Sequence, residues 1–348
     1  MNTLISDINA IVADVLKARS MDRRTCFTTF SPVPPDATTF VFECSDAAVA
    51  EDVRHRVAAT DAPVEYVLLP NGQELPELLV ATNSVADVRR EPVHTAELVN
   101  QVIYGDVLVP LKDQGDWYLI RTDDGYLGWI RNWHVTPSRR EAVDEFLEGA
   151  GHRVRDNVVQ VLEAPERSAL PVGDAVIGTR VHAEPGERRG WRRISFPEGR
   201  TGFVPSRALE PVPKRAGLSR QELVTTGMRF LGIPYLWGGT TPKGFDCSGL
   251  IQRIFRLGGA VIPRDSDMQV MVGRSKPAGQ PDVLKTGDLL FFGSDIDHIT
   301  HVAMYLSDGL FLHACGHVRV GSLHPNHIHF EAGLVAGWCA TRDPFVRV

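Results

Sequence analysis

Apolar and polar residues follow different spacings in successive parts of this chain. The first 80 residues combine helical spacing, in two stretches near 4–18 and 46–60, with short apolar runs, which predicts a small α/β unit. The next two parts contain short strand-like runs separated by Gly and Asp turns, a pattern typical of small barrels or sandwiches. The last part mixes both spacings, so the pattern predicts an α+β protein. The four predicted units are residues 1–80, 81–140, 150–213 and 217–348.

The second and third units share an imperfect internal repeat. The shared landmarks are a Gly-Asp strand opening at Gly105 and Gly173, a Trp-led strand at Trp117 and Trp191, and a Gly-aromatic strand at Gly128 and Gly202. A linker rich in Pro and charge, residues 210–217, follows the second copy. The stretches GDWYLIRTDDGYLGWI and GRTGFVPSRALE resemble bacterial SH3-type domains.

The fourth unit contains a cysteine at the start of a predicted helix. A loop rich in Gly and Pro, 232–244, precedes a run from Asp246 to Leu257 with helical apolar spacing, so Cys247 lies in the first turn. The positive end of a helix dipole stabilises a thiolate, which is the reactive form of cysteine. Cys247 is therefore a candidate nucleophile. Two alternatives stay open: that Cys247 is only a small buried apolar residue, and that Asp246 is only an N-cap.

A nucleophilic cysteine needs a base, and the base needs a group that orients it. His301 and His313 lie on two predicted strands joined by a short turn. A three-residue loop at 307–309 would place both histidines on one face of the hairpin as diagonal neighbours, whereas a two-residue loop would separate them. We therefore predict the longer loop or a bulge. His298 and His317 are the nearest rivals and are expected to be exposed.

The motifs of the fourth unit stand in a recognisable order: Tyr-x-Trp-Gly-Gly, Asp-Cys-Ser-Gly, Gly-Asp-Leu and His-Val-x-x-Tyr. This constellation resembles the NlpC/P60 family of cysteine peptidases, which have a papain-like fold. The resemblance implies that Cys247 is the nucleophile, His301 the base and His313 the residue that orients it. It also implies that Tyr235 helps to bind the oxyanion together with the backbone N–H of Cys247.

SH3-type barrels ahead of such a domain are similar to the arrangement in γ-D-glutamyl-L-diamino acid endopeptidases. That resemblance implies a peptidoglycan-derived substrate with a free N-terminal L-Ala. It also implies that the first barrel closes one end of the cleft that binds this substrate. It also implies substrate contacts from both units, with two alternatives for an acidic residue of the barrel. The implied contacts are Asp246, Ser248, Trp237, Ser266, Tyr126, and Glu97 or in reserve Glu91.

Composition narrows the range of partners, cellular locations and cofactors. Of the 348 residues, 23% are charged and the formal net charge is -6, which gives no basic face for nucleic acid. No apolar run approaches the roughly 20 residues that span a bilayer, and residues 1–20 lack the features of a signal peptide. Five cysteines without a CxxC pair favour reduced thiols and argue against a cysteine-built metal site. We expect a cytoplasmic monomer without metal or cofactor that acts in cell-wall peptide recycling.

Two other functions are compatible with these motifs. Papain-like folds also serve amidases and acyltransferases, because a fold does not fix a reaction. Alternatively, the SH3-type repeats would make the chain a wall-binding protein with weak or no catalysis. The complete Cys247, His301 and His313 set argues against the second alternative.

Overall fold

The computed structural model describes residues 2–33, 39–60, 62–71, 74–213, 217 and 219–345. Part of the predicted linker at 210–217 therefore lies outside the described residues. Helices and strands are both present throughout, which confirms the α+β class. None of the described helices is long and apolar enough to cross a membrane.

The N-terminal unit is a three-stranded sheet with two helices, as the spacing predicts. Strand β2 lies in the centre of the sheet, antiparallel to β1 and parallel to β3. The Asp46 side chain caps the second helix by accepting from the Val49 amide, which explains where that helix begins. The elements are α1 Asn2–Ala18, β1 Thr28–Pro32, β2 Phe40–Cys44, α2 Ala47–Val57 and β3 Val64–Leu68.

Two antiparallel seven-stranded barrels follow, joined by helix α3, Arg140–Gly149. The strands of the first barrel are β4 Leu78–Ala81, β5 Val85–Arg89, β6 Leu98–Ile103, β7 Val107–Gln114, β8 Trp117–Arg121, β9 Leu127–Arg131 and β10 Val135–Ser138. The strands of the second barrel are β11 His152–Val154, β12 Val158–Leu162, β13 Pro171–Val176, β14 Arg180–Ala183, β15 Trp191–Ser195, β16 Thr201–Pro205 and β17 Leu209–Pro211.

The strand order confirms the internal repeat. The first barrel has the order β10-β4-β7-β8-β9-β5-β6, and the second has the same order of equivalent strands, β17-β11-β14-β15-β16-β12-β13. Gly128 and Gly202 occupy equivalent places, where an added Cβ would lie 2.4 Å from the side chain of Val88 or Val161. The predicted match of Gly105 with Gly173 is wrong. Gly105 precedes β7 and Gly173 lies inside β13, so the true equivalent of Gly105 is Gly178, which precedes β14 with the same positive φ.

The C-terminal unit is a six-stranded antiparallel sheet with helix α5 packed on one face. The order is β20-β25-β21-β22-β23-β24. The helix begins one residue after the predicted start, at Cys247, and its apolar face is buried against β21, β22 and β23. A capping box formed by Ser219 and Glu222 starts α4, as their spacing predicts.

The elements of this unit are α4 Arg220–Met228, β18 Thr240–Thr241, β19 Gly244–Phe245, α5 Cys247–Leu257, α6 Ser266–Gln269, β20 Arg274–Lys276, β21 Leu289–Gly293, β22 Ile299–Tyr305, β23 Leu310–Cys315, β24 His317–Ser322, α7 Ala332–Ala336 and β25 Trp338–Asp343.

Candidate active site

The start of α5 holds the candidate nucleophile in a buried position. Cys247 is the first residue of the helix and only 8% of it is exposed. The backbone N–H groups of Ser248 and of Val302, which follows His301 on β22, favour the Cys247 thiolate. The strand that carries the candidate base therefore lies against the cysteine, as the motif order predicts.

Asp246 and Ser248 form the frame of this helix start. Asp246 Oδ1 accepts from the Gly249 amide at 2.7 Å, and its two oxygens accept from the guanidinium of Arg264, which is 1% exposed. Asp246 Oδ2 also accepts from the Gly238 amide at 2.9 Å, and Arg264 donates to Ser248 Oγ at 2.9 Å. Both carboxylate oxygens of Asp246 thus accept hydrogen bonds from other residues of the protein. This supports a capping role for Asp246 over the implied contact with substrate.

The hairpin register brings the two histidines together. The Leu306 amide donates to the Leu310 carbonyl at 2.8 Å, which leaves residues 307–309 as the loop. This is the predicted three-residue loop, and His301 and His313 fall on one face. His301 Nε2 lies 2.9 Å from His313 Nδ1, so the prediction is confirmed.

The chain of polar contacts continues beyond His313 to a residue that the sequence did not indicate. His313 Nε2 lies 2.8 Å from Glu331 Oε1, and Arg319 donates to Glu331 Oε2 at 3.0 Å. A carboxylate can only accept, so this short contact favours a proton on Nε2 of His313 over the longer contact, 3.4 Å, from Arg319 Nε to the same nitrogen. His313 Nδ1 then accepts from Nε2 of His301, and Nδ1 of His301 is left unprotonated as the nitrogen that can take the proton of a thiol.

A thiolate–imidazolium pair would need a lowered thiol pKa and a raised imidazole pKa, and burial of Cys247 and His301 acts against both. Burial, followed by the charge of Asp246, raises the pKa of the Cys247 thiol to about 12. Burial, followed by His313 and Arg319, lowers the pKa of His301 to about 3. Removal from water disfavours the charged form of both groups. Both shifts favour a neutral thiol and a neutral imidazole near pH 7, and a neutral imidazole can act as a general base.

This environment predicts the pH dependence of alkylation. The rate at which iodoacetamide modifies Cys247 should rise steadily between about pH 6 and about pH 9, because the thiolate fraction grows toward a raised pKa. The measurement is peptide mapping by mass spectrometry in a Cys315→Ala background. A rate that is already level near neutral pH would contradict the neutral pair and restore the ion pair.

The same environment changes which thiol should be labelled first. A thiolate stabilised by the helix start would make Cys247 the first cysteine to react. Cys315 is exposed, whereas Cys247 is buried with a raised pKa, so this expectation is not favoured. Cys26 and Cys44 are both fully buried and should be protected.

Tyr235 lies close to the nucleophile, as the family resemblance implies. Its pKa is raised to about 12 by burial and then by the neighbouring Cys247 and Asp246. Its hydroxyl therefore stays protonated and can donate a hydrogen bond. His298 and His317, the rivals of the two central histidines, are exposed as expected.

The first barrel forms one wall beside this site. The hydroxyl of Tyr126, a residue only 3% exposed, donates to Asp265 Oδ2 at 3.1 Å. Burial, followed by the charge of Asp265, raises the pKa of Tyr126, so its hydroxyl also stays protonated. Arg90 Nη2 lies 3.2 Å from the same hydroxyl. Ser266, another of the predicted residues, begins α6 immediately after Asp265.

A second contact between the units involves Trp237 and Glu97. The Trp237 indole donates to Glu97 Oε1 at 2.9 Å, and Glu97 also lies 3.8 Å from Arg90. Glu91 is exposed, and no hydrogen bond or ion pair joins its side chain to the part of the chain that the structure describes. Gly238 explains the glycine of the Trp-Gly-Gly motif, because an added Cβ would lie 2.4 Å from the Leu98 carbonyl oxygen.

Four polar residues of the site escaped the sequence analysis: Arg90, Arg264, Asp265 and Glu331. Arg264 and Asp265 lie in the stretch PRDSDMQ next to Ser266, so their position gives a local signal without an assigned role. Arg90 and Glu331 had no signal of this kind. Across the described ranges, no group of three or more His, Cys, Asp or Glu residues is arranged to hold a metal ion.

Comparison with family models agrees with this geometry. Residues 232–333 match the NlpC/P60 family, and residues 84–136 match the bacterial SH3 domain. A solved NlpC/P60 family protein from Bacillus cereus has a TM-score of 0.64 with 22% identity, and the match covers 76% of this chain and 99% of that one. At this identity the likeness is one of fold.

Curated relatives match this chain over more than two hundred residues. A γ-D-glutamyl-L-lysine dipeptidyl-peptidase of Bacillus subtilis is 30% identical over 227 residues, which is 62% of this chain and 71% of the relative. A dipeptidyl-peptidase 6 of Lysinibacillus sphaericus is 28% identical over 262 residues, which is 72% of this chain and 93% of the relative. The chain therefore belongs to the NlpC/P60 family of cysteine peptidases.

Proposed function

We propose that this enzyme hydrolyses the γ-D-glutamyl-L-diamino acid bond of peptidoglycan-derived peptides that carry a free N-terminal L-Ala, and that it serves cell-wall peptide recycling. The observation that carries the proposal is the contact between Tyr126 of the first barrel and Asp265 of the catalytic unit. This contact supports the proposal, because it joins a carboxylate and a hydroxyl that could together receive the amine of the substrate. The names of two relatives, both dipeptidyl-peptidases and one specific for γ-D-glutamyl-L-lysine, support the same substrate class.

The polar chain around Cys247 supports a two-step hydrolysis. The thiol proton moves to Nδ1 of His301 while the sulfur attacks the γ-carbonyl carbon of D-Glu. The C–N bond then breaks, the diamino acid leaves with the proton from His301, and a thioester remains. Water, deprotonated by His301, hydrolyses the thioester and regenerates the thiol. His313 and Glu331 hold His301 in the required tautomer.

The negative charge on the carbonyl oxygen needs donors as it develops. The backbone N–H of Cys247 at the helix start and the protonated hydroxyl of Tyr235 are our candidates for these donors. Both lie on the side of the site formed by the loop before α5.

The acidic residue for the substrate amine is reassigned in this proposal. Glu97 is bonded to the Trp237 indole and lies near Arg90, and Glu91 is exposed, so neither faces Tyr126. Asp265 does, and we propose that it receives the ammonium group of L-Ala. A partly buried carboxylate would be left without this partner if the amine were acylated.

Acylation of the substrate tests the closed pocket. The value of kcat/KM should be about a hundredfold or more lower for N-acetyl-L-Ala-γ-D-Glu-diaminopimelate than for the free amine, because the acetyl group removes the charge and adds bulk. Release of diaminopimelate, measured by chromatography, gives both rates. Equal rates would contradict the pocket, and turnover of neither peptide would favour an amidase or acyltransferase with another substrate.

A further inference from the structure

The N-terminal unit reaches the proposed amine pocket through one side chain. Arg24 lies in the turn between α1 and β1, and its backbone carbonyl accepts from the Leu127 amide at 2.7 Å, next to Tyr126. Asp22 holds the arginine from behind, because its carboxylate accepts from both the Arg24 amide and the guanidinium. The arginine is thus fixed at both its backbone and its side chain.

The guanidinium of Arg24 forms hydrogen bonds with two carboxylates of the catalytic unit. Its Nη1 donates to Asp265 Oδ2 at 2.9 Å, and Nη1 and Nη2 donate to the two oxygens of Asp267 at 2.8 and 2.7 Å. All three bonds are charge-assisted, and the two bonds to Asp267 form a bidentate pair. Such hydrogen bonds are the strong class in proteins. Because only 20% of the Arg24 side chain is exposed, they are partly shielded from water.

The same oxygen of Asp265 receives both Arg24 and the hydroxyl of Tyr126. Three units of the chain therefore meet on one carboxylate: the N-terminal unit, the first barrel and the catalytic unit. Two donors on Oδ2 fix the orientation of the carboxylate. Among the described residues Oδ1 accepts no hydrogen bond, although Nη1 of Arg264 lies 3.7 Å from it.

The charge balance of this cluster leaves room for a cation. Two guanidiniums, Arg24 and Arg264, pair with four carboxylates in this cluster: Asp22, Asp246, Asp265 and Asp267. Arg24 offsets the repulsion between Asp265 and Asp267 without neutralising the group. An ammonium ion that approached Asp265 would still meet negative charge.

We propose that Arg24 is a positioning residue for recognition of the substrate's N-terminal amine. It holds Asp265 against Tyr126 and thereby sets KM and the preference for a free amine, while bond cleavage is left to Cys247 and the histidines. This inference rests on the proposed function. It gives residues 1–80 a role in specificity, which the sequence alone did not indicate.

Replacement of Arg24 by methionine tests the inference, because methionine keeps much of the length and removes the charge and the donors. We expect KM for L-Ala-γ-D-Glu-diaminopimelate to rise about tenfold or more with kcat nearly unchanged. The ratio of kcat/KM between the free and the N-acetylated peptide should shrink by a similar factor. The rate of Cys247 alkylation, which does not depend on substrate, should stay at its wild-type value.

The direction in which KM changes distinguishes a positioning role of Arg24 from an effect of its charge alone. Loss of a cation makes the pocket more acidic, so an arginine that acted only through its charge would lower KM when removed. A lower KM, or an unchanged KM and ratio, would overturn the inference. Failure of the wild-type enzyme to prefer the free amine would instead overturn the proposed function, whatever Arg24 does.

Two further variants complete the experiment. Arg19→Met is the matched control, because Arg19 pairs with Asp52 inside the N-terminal unit and should leave KM unchanged. Arg24→Lys serves if Arg24→Met is poorly folded. A lysine ammonium cannot make the bidentate bonds of a guanidinium, so we expect an intermediate KM, and a wild-type KM for this variant would also count against positioning.

Discussion

Replacement of Cys247 by alanine should lower kcat/KM for L-Ala-γ-D-Glu-diaminopimelate by about four to six orders of magnitude. Without the sulfur no thioester can form, and the remaining donors can only bind the peptide. KM or a directly measured dissociation constant should change little, because Cys247 is buried and contributes little contact surface. Chromatographic detection of released diaminopimelate over long incubations gives the residual rate.

Cys315→Ala is the matched control for this substitution. Cys315 is an exposed cysteine at the end of β23, the strand that carries His313, and its loss should leave turnover intact. A Cys247→Ala enzyme that kept activity within about tenfold of wild type would place the nucleophile elsewhere. A wild-type protein that bound the peptide without any turnover would favour the wall-binding alternative.

Replacement of Asp246 by alanine should have the largest effect on stability, about 3–5 kcal/mol in the free energy of unfolding. It removes the cap of α5 and leaves the guanidinium of Arg264, 1% exposed, without its carboxylate partner. A buried charge without a partner costs far more than the pair contributes when both are present. The measurement is the urea concentration at which Cys247 becomes open to rapid alkylation.

Two comparisons control this experiment. Asp52→Ala breaks the exposed ion pair with Arg19 and should hardly change the unfolding transition. The double variant Asp246→Ala with Arg264→Met should be more stable than Asp246→Ala alone, since it removes the unpaired charge. A loss below about 1 kcal/mol for Asp246→Ala would mean that water reaches Arg264.

Local patterns were sufficient for the core of the active site. The helix from Cys247 follows from its apolar spacing, and its N-cap and the capping box at Ser219 follow from residue types at fixed distances. The His301–His313 contact follows from counting residues across one hairpin. In each case the interacting residues are close in sequence or joined by a short turn, so few geometries are open to them.

Contacts between distant segments were beyond such patterns. Glu331 meets His313 from the loop before α7, and Arg24 meets Asp265 from another unit of the chain, so no spacing rule relates them. The acidity of Cys247 also depends on distant segments. A helix start favours a thiolate, but the burial of this particular cysteine, which depends on the whole fold, outweighs that effect.

The shared strand order of the two barrels indicates duplication followed by divergence of their surroundings. The second copy is anchored behind the catalytic helix: Arg153 donates to the Leu257 carbonyl, and Ile177 packs into the catalytic core. The first copy contacts the same unit through other residues: Thr240 Oγ1 donates to the Gln101 carbonyl, and the Tyr126 hydroxyl donates to Asp265. The same barrel thus meets the catalytic unit through two different sets of residues, so a change confined to the loops of one copy could alter its own contacts without mutation of Cys247 or the histidines.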